Sequence, residues 1–253
     1  MPNAPTPLYL DWQLWSAFVA LIALVLSQLP PVHLWLRPRR LEVEVHSRVG
    51  ITHKVGNPNV AMFVSVRNTG GRELRIRSMK LELFRDGTSL GTLPAQNYFE
   101  TPSSQASVLF VPFSLKPGET WAHATSFLKF FDRATEKLYR ASESALSADI
   151  RQKLAAKAEG DDQAVKGEAA IVKVFLDLFA QLFLWSPGEY ALDLTVNAEP
   201  GSASFSKKYR FTLYESDSEE LRSHADDYIF GGGLTYNIPR HMGIFVPLAH
   251  TAN

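Results

Sequence analysis

The stretch SPGEYALDLTVNAEPGSASFSKKYRFTLY, residues 186–214, decides how this chain is read. Tyr190, Leu192, Leu194 and Val196 alternate with polar or small neighbours. After Glu199-Pro200-Gly201, residues Phe205, Tyr209, Phe211 and Leu213 fall on one face in the same way. A period of two sends successive side chains to opposite faces of a strand, so the stretch predicts an antiparallel hairpin with one buried face. Its opening turn, Ser186-Pro187-Gly188-Glu189, has a counterpart in Lys116-Pro117-Gly118-Glu119, which closes the apolar run SVLFVPFSL at 107–115.

Working back toward the N-terminus, the same alternation recurs. In LEVEVHSR (41–48), Leu41, Val43 and Val45 alternate with Glu42, Glu44 and His46. Beyond the loop residues Asn57-Pro58-Asn59, the residues Val60, Met62, Val64 and Val66 share a face opposite Ala61, Phe63, Ser65 and Arg67, and Thr69-Gly70-Gly71 then turns the chain. In ELRIRSMKLELFR (73–85) the apolar phase passes from Leu74 and Ile76 to Met79, Leu81 and Leu83, a slip of one near Ser78 that predicts a β-bulge. Asp86-Gly87 turns the chain into TSLGTL, a short edge strand. Six or seven short strands separated by turn signals predict an antiparallel β-sandwich.

Gly188, Tyr190 and Leu192 give the chain a resemblance to bacterial-type immunoglobulin-like domains, and to fibronectin-like sandwiches equally, over residues 41–214 less an insertion. The resemblance implies a tyrosine corner at Tyr190, two residues before the inward position that a cysteine often fills. Leu192 would fill it here, with aliphatic packing in place of a disulfide. Such a fold implies no particular function.

The insertion, at about 127–185, loses the strand period. Phe127, Phe130, Phe131, Ala134 and Leu138 follow helical spacing, continued by Leu146, Ile150 and Leu154. Gly160 breaks the run, and Asp161 or Asp162 is suited to cap a second helix. In that helix only Lys173, Asp177 and Gln181 are polar after residue 170, four apart, so they form one narrow wet stripe. Val165, Val172, Phe175, Leu176, Phe179, Leu182 and Phe183 need cover. A helical hairpin packed on the sandwich would supply it. The functional alternative makes Phe175, Phe179 and Phe183 a contact with a second protein or subunit.

No residue in 12–36 carries a formal charge, and 14–29 reads LWSAFVALIALVLSQL. Its nine Leu, Ile, Val and Phe residues favour a bilayer by about 3 to 5 kcal/mol before polar groups are counted. A transmembrane helix over 11–29 is expected, with Trp12, Trp15, Phe18, Leu21, Ile22, Leu26 and Trp35 as anchor residues. A cleavable signal peptide fits worse, since MPNAPTPLYLD has no Lys or Arg and the exit is bulky. A buried soluble helix also fits worse, for want of a polar face. Arg37, Arg39 and Arg40 follow in a juxtamembrane linker at 30–40 and are the topology and lipid-headgroup residues. Their position predicts a single pass with the short segment 1–10 outside and the large part cytoplasmic.

Basic and acidic residues balance at 26 each, and basic residues cluster only at RPRR, which argues against nucleic acid. Cysteine is absent, which removes disulfides, zinc–thiolate sites and Cys nucleophiles together. The seven histidines show no HExxH or H-x-H spacing, and no nucleophile elbow, Walker loop or dinucleotide fingerprint occurs. His224 with Asp226 and Asp227 is the nearest approach to a metal set, in the acidic start of a tail at 215–253. In that tail Gly231-Gly232-Gly233 reads as a flexible joint, and Ile244, Phe245, Val246 and Leu248 as a surface-docking segment. No catalytic, cofactor or metal residue is therefore assigned. The expected role is an interaction or assembly module bound to lipid and to a protein partner or a second copy. A membrane-tethered ligand sensor is the alternative, and an enzyme with an unfamiliar site the third.

Overall fold

The computed structural model describes residues 12–28, 37–101, 103–104, 106–158 and 162–250. Helix α1 (Trp12–Gln28) is followed by twelve strands: β1 (Leu41–Val45), β2 (Arg48–Lys54), β3 (Asn57–Asn68), β4 (Leu74–Arg85), β5 (Thr88–Phe99), β6 (Val108–Leu109), β7 (Phe113–Leu115), β8 (Thr120–Leu128), β9 (Gly188–Glu199), β10 (Phe205–Leu213), β11 (Ile244–Pro247) and β12 (Ala249–His250). Helices α2 (Arg133–Ala155) and α3 (Ala169–Leu182) lie between β8 and β9, and α4 (Glu215–Ser223) follows β10.

The strands form one antiparallel sheet in the order β11-β2-β3-β8-β5-β4-β9-β10-β12. Strand β1 extends the β2 side of β3, while β6 adds to β5 and β7 to β4. The long β5 couples the halves, pairing with β4 over its first part and with β8 over its last. At the far side β10 comes alongside β1 and β11, so the sheet is nearly a barrel. Alternation fills its interior: Val60, Met62, Val64 and Val66 from β3 meet Leu81 and Leu83 from β4, and Leu192, Leu194 and Val196 from β9. These side chains are all buried. At about 25 cal/mol per Å² of apolar surface removed from water, this core dominates the stability.

The expected bulge is present, where the β4–β9 register shifts between Ile76 and Ser78. The hairpin β9–β10 is present too, and Tyr190 opens β9 with its hydroxyl donating to Ser186 O at 2.7 Å and Leu184 O at 2.9 Å. Leu192 is fully buried behind it.

Several expectations are corrected. The run 107–115 is two short strands, not one, because Pro112 has no amide to continue the ladder. TSLGTL is the start of the twelve-residue β5 rather than a short edge strand. The insertion begins later than 127, since Phe127 is a core residue of β8. Helix α2 starts after Asp132, whose Oδ1 accepts from Ala134 N and Thr135 N at 2.9 Å each. Its buried face is Tyr139, Ser142 and Leu146, and Leu138 and Leu154 face solvent. Asp162 does not cap a helix, and Asp161 lies outside the described residues. Helix α3 begins only at Ala169, because Gly167 N bonds Ile229 O and Glu168 N bonds Asp149 Oδ2, which holds the preceding residues extended. Gly231 and Gly232 are buried and close-packed rather than a loose joint. Ile244 and Val246 belong to the core through β11.

Among the described residues no helix is long and apolar enough to cross a membrane. The transmembrane helix expected over 11–29 is described only as the 17 residues of α1, rising about 26 Å at 1.5 Å per residue against a hydrocarbon core of about 30 Å. Trp35, expected as an anchor residue, lies outside the described residues.

Candidate functional site

The most chemically loaded constellation sits where the β2–β3 turn, helix α3 and the segment after α4 converge. The turn comes very close to the helix end. A Cβ on Gly56, whose φ is +82°, would stand 2.7 Å from Phe179 O and 2.9 Å from Phe183 N, so only glycine fits. Lys54 lies over the Tyr139 ring at 4.5 Å and ties β2 to α2 as well.

His53, next to this turn, is 8% exposed and has both nitrogens satisfied. Nε2 lies 2.8 Å from Leu221 O, and Nδ1 accepts from Gly56 N at 3.1 Å. A carbonyl only accepts, so Nε2 carries the proton and the ring is neutral. Phe179 and Phe183 pack on it at 5.3 and 5.5 Å between ring centroids. His224, 1% exposed, lies 5.1 Å from His53 on one side and stacks on His241 at 4.3 Å on the other. Among the described residues neither His224 nitrogen has a partner of full hydrogen-bond geometry. His241 Nε2 donates to Asp227 Oδ2 at 2.7 Å, and Arg240 Nε donates to the same oxygen at 2.8 Å.

Burial dominates the electrostatics. Desolvation pushes His53 down to about 4, aided by His241 and opposed by the bond to Leu221. Desolvation likewise pushes His224 down to about 4, with His53, His241 and the Arg240 charge adding to it and the Arg240 backbone opposing. The donors Arg240 and His241 outweigh burial at Asp227 and hold its carboxyl below the usual range. Beside this stack, burial raises the Tyr228 phenol, which has no hydrogen-bond partner among the described residues.

Stacked faces do not aim lone pairs at one point. Among the described residues no group of three or more His, Cys, Asp or Glu is placed to hold a metal, and His224, Asp226 and Asp227 do not converge into one. The arrangement is an aromatic joint that fastens the insertion and C-terminal segment to the near-barrel. Sequence spacing gave no sign of it, because positions 53, 224 and 241 meet only through the fold.

The residues expected to touch a partner divide. Phe175 is fully buried in a second core with Tyr139, Leu146, Val172 and Tyr228, so it has no surface to offer. Phe179 and Phe183 are half-buried, 4.8 Å apart, and Arg222 covers the Phe183 ring at 4.7 Å. Leu176 is the large apolar residue of α3 that stands out, at 42% exposure. Lys173 and Asp177 pair along the wet stripe at 2.7 Å. The anchor residues Trp12, Trp15, Phe18, Leu21, Ile22 and Leu26 are all exposed on α1, Trp12 to 87%. Arg37, Arg39 and Arg40 are exposed on the approach to β1.

A cleft of about 520 Å³ opens between α2 and the C-terminal segment, lined by Ile150, Leu154, Phe230 and Tyr236 with Ser147, Arg151 and Thr235 as polar members.

No protein-family model matches the chain, and no curated protein matches it. Among solved structures, a protein from Archaeoglobus fulgidus is similar at 10% identity and a TM-score of 0.29, over 69% of this chain and 98% of that one. That likeness is too low to carry anything over.

Proposed function

We propose that this chain is a membrane-anchored, immunoglobulin-like β-sandwich protein that serves as an interaction or assembly module rather than an enzyme. The observation that carries the reading is α1. It has no charged residue, its described side chains are exposed around the whole circumference, and it packs extensively on no other described element. Burial in lipid removes that exposure from water. The uncharged sequence continues to Leu36 and is followed by Arg37, Arg39 and Arg40, which favour a cytoplasmic location for the large part. The immunoglobulin-like reading is supported by the neighbours β2-β3-β8 and β4-β9-β10 and by the corner at Tyr190. The proposed protein contact centres on Leu176 with the outer edges of Phe179 and Phe183, and a second copy of the chain is one candidate for it.

Alkaline carbonate extraction tests the anchor, and the full chain is expected in the pellet; recovery in the supernatant removes it. A C-terminal fluorescent reporter that matures only in the cytoplasm is expected to glow, and an alkaline phosphatase fusion to stay inactive. The 520 Å³ cleft favours a second reading, a tethered ligand sensor, because aromatic walls and Arg151 suit an amphiphilic anion. A melting temperature raised by decanoate in the full chain, and not in Arg151→Gln, would support it.

A further inference from the structure

The end of the near-barrel where β1 begins carries a second cleft, of about 250 Å³, lined by Arg37, Arg67, Asn68, Thr69, Gly70 and the Pro117-Gly118 turn. Its frame is fixed by hydrogen bonds. Asn68 is fully buried, donates through Nδ2 to Arg72 O at 2.8 Å and Leu115 O at 2.9 Å, and accepts from Gly70 N at 2.9 Å. Gly118 N donates to Asn68 O at 2.8 Å, and Thr69 N to Arg40 O at 3.1 Å. A Cβ on Gly70 would stand 2.7 Å from Pro38 O, so the segment carrying Arg37 lies directly on the turn.

Neither Arg37 nor Arg67 makes an ion pair or side-chain hydrogen bond among the described residues, although Glu42 sits cross-strand from Arg67. Around them the same end exposes Arg39, Arg40, Arg72, Arg75 and Lys116 against Glu73 and Glu119, while Arg77 is paired with Glu199 at 2.7 Å. In a chain whose charges balance at 26 each, this is a local basic excess. From Gln28, the last residue of α1, to Arg37 is nine residues, at most about 32 Å of extended chain. The cleft is therefore tethered close to whatever surface α1 enters.

We infer that this cleft binds the phosphodiester of an anionic lipid headgroup, held between the Arg37 and Arg67 guanidinium groups, with the surrounding arginines facing the bilayer. Guanidinium presents paired donors that match phosphate oxygens. The inference rests on the membrane-anchored reading and adds to it that the near-barrel lies down on the surface by this end.

The chain has no cysteine, so Ser114→Cys, exposed on β7 beside Lys116, takes a single fluorophore. The labelled full-length protein is reconstituted in phosphatidylcholine vesicles with or without 30 mol% phosphatidylglycerol, each carrying headgroup-nitroxide lipid. Flotation reads the anchor and quenching reads the docking. Quenching is expected only with phosphatidylglycerol, to fall in 0.5 M salt, and to be lost in Arg37→Gln/Arg67→Gln. At about fivefold per basic residue, that pair should lower the docked-to-free ratio about thirtyfold. Flotation with unchanged quenching in the variant, or equal quenching without phosphatidylglycerol, overturns the headgroup site and leaves the anchor standing. Failure to float overturns the anchor itself. Inorganic phosphate at 10 mM is expected not to release the label from the surface; release would make the cleft a free-phosphate site instead.

Discussion

Acidification should loosen the joint formed by His53, His224 and His241 before it disturbs the carboxylates. An unfolded histidine titrates near 6.5, whereas burial holds His53 and His224 at about 4 in the folded chain. Between those values the unfolded state binds protons that the folded state refuses, so stability falls as the pH drops from 6.5 towards 4. At pH 4.5 the gap is two units, or roughly 2 to 3 kcal/mol for each ring at about 1.4 kcal/mol per unit. The two rings lie 5.1 Å apart, so a proton on one opposes a proton on the other and roughly 5 kcal/mol bounds the pair from above. That is comparable to the whole stability of many domains. Asp227, with its lowered pKa, contributes stability lost only as the pH falls below the usual carboxylate value of 3.8, outside this window. Urea unfolding of the full chain in a mild detergent, at pH 7.0, 5.5 and 4.5, measures the effect through tryptophan fluorescence. Trp185 is a suitable reporter, being fully buried with its indole N–H on Thr52 O at 2.8 Å, one residue from His53. His224→Leu should flatten the slope by about half at little cost at pH 7, because it replaces a buried ring whose nitrogens lack good partners with an apolar group. A pH-independent midpoint, or a slope that the variant leaves unchanged, would refute the account.

Other outcomes follow from single contacts. Tyr190→Phe removes the donor shared by Leu184 O and Ser186 O and should cost about 1 to 3 kcal/mol in chemical unfolding. Phe175→Ala should cost about 3 to 5 kcal/mol, the usual range for an enclosed phenylalanine, whereas exposed Leu176→Ser should leave the melting temperature nearly unchanged and weaken self-association in crosslinking if α3 carries the contact. Gly56→Ala should destabilise by more than 1 kcal/mol, since the added methyl meets Phe179 O and φ is +82°; wild-type stability would show that the turn retreats freely.

The strands that could be read from sequence are those with one wet face. Val60 to Val66 on β3 and Tyr190 to Val196 on β9 alternate cleanly because their outer neighbours meet solvent or half-cover. The bulge at Ser78 was legible for the same reason, as a break in phase. Strand β8 was not, because it lies between β3 and β5 and places Trp121 and His123 in an aromatic cluster with Tyr98 and Phe113, so polar and apolar character do not sort by face. Helix α3 misled in another way. Its apolar girth is covered on one side by Tyr139 and Leu146 from α2, and on another by Val55 and Tyr228, which no local pattern announces. The histidine joint was least legible, since three rings from two ends of the chain carry no shared spacing.

The pairing of β11 with β2 also has a consequence for biosynthesis. Ile51 finds its ladder partner in Ile244, 193 positions later in the chain. At roughly 5 to 20 residues per second, translation leaves the outer edge of β2 bare for about 10 to 40 s. Through that interval a nascent chain presents open backbone donors and acceptors next to Val49 and Ile51, the kind of edge on which strands from neighbouring ribosomes pair wrongly. A chaperone that shields one strand edge during synthesis, rather than one that encloses a finished domain, is the assistance this topology calls for.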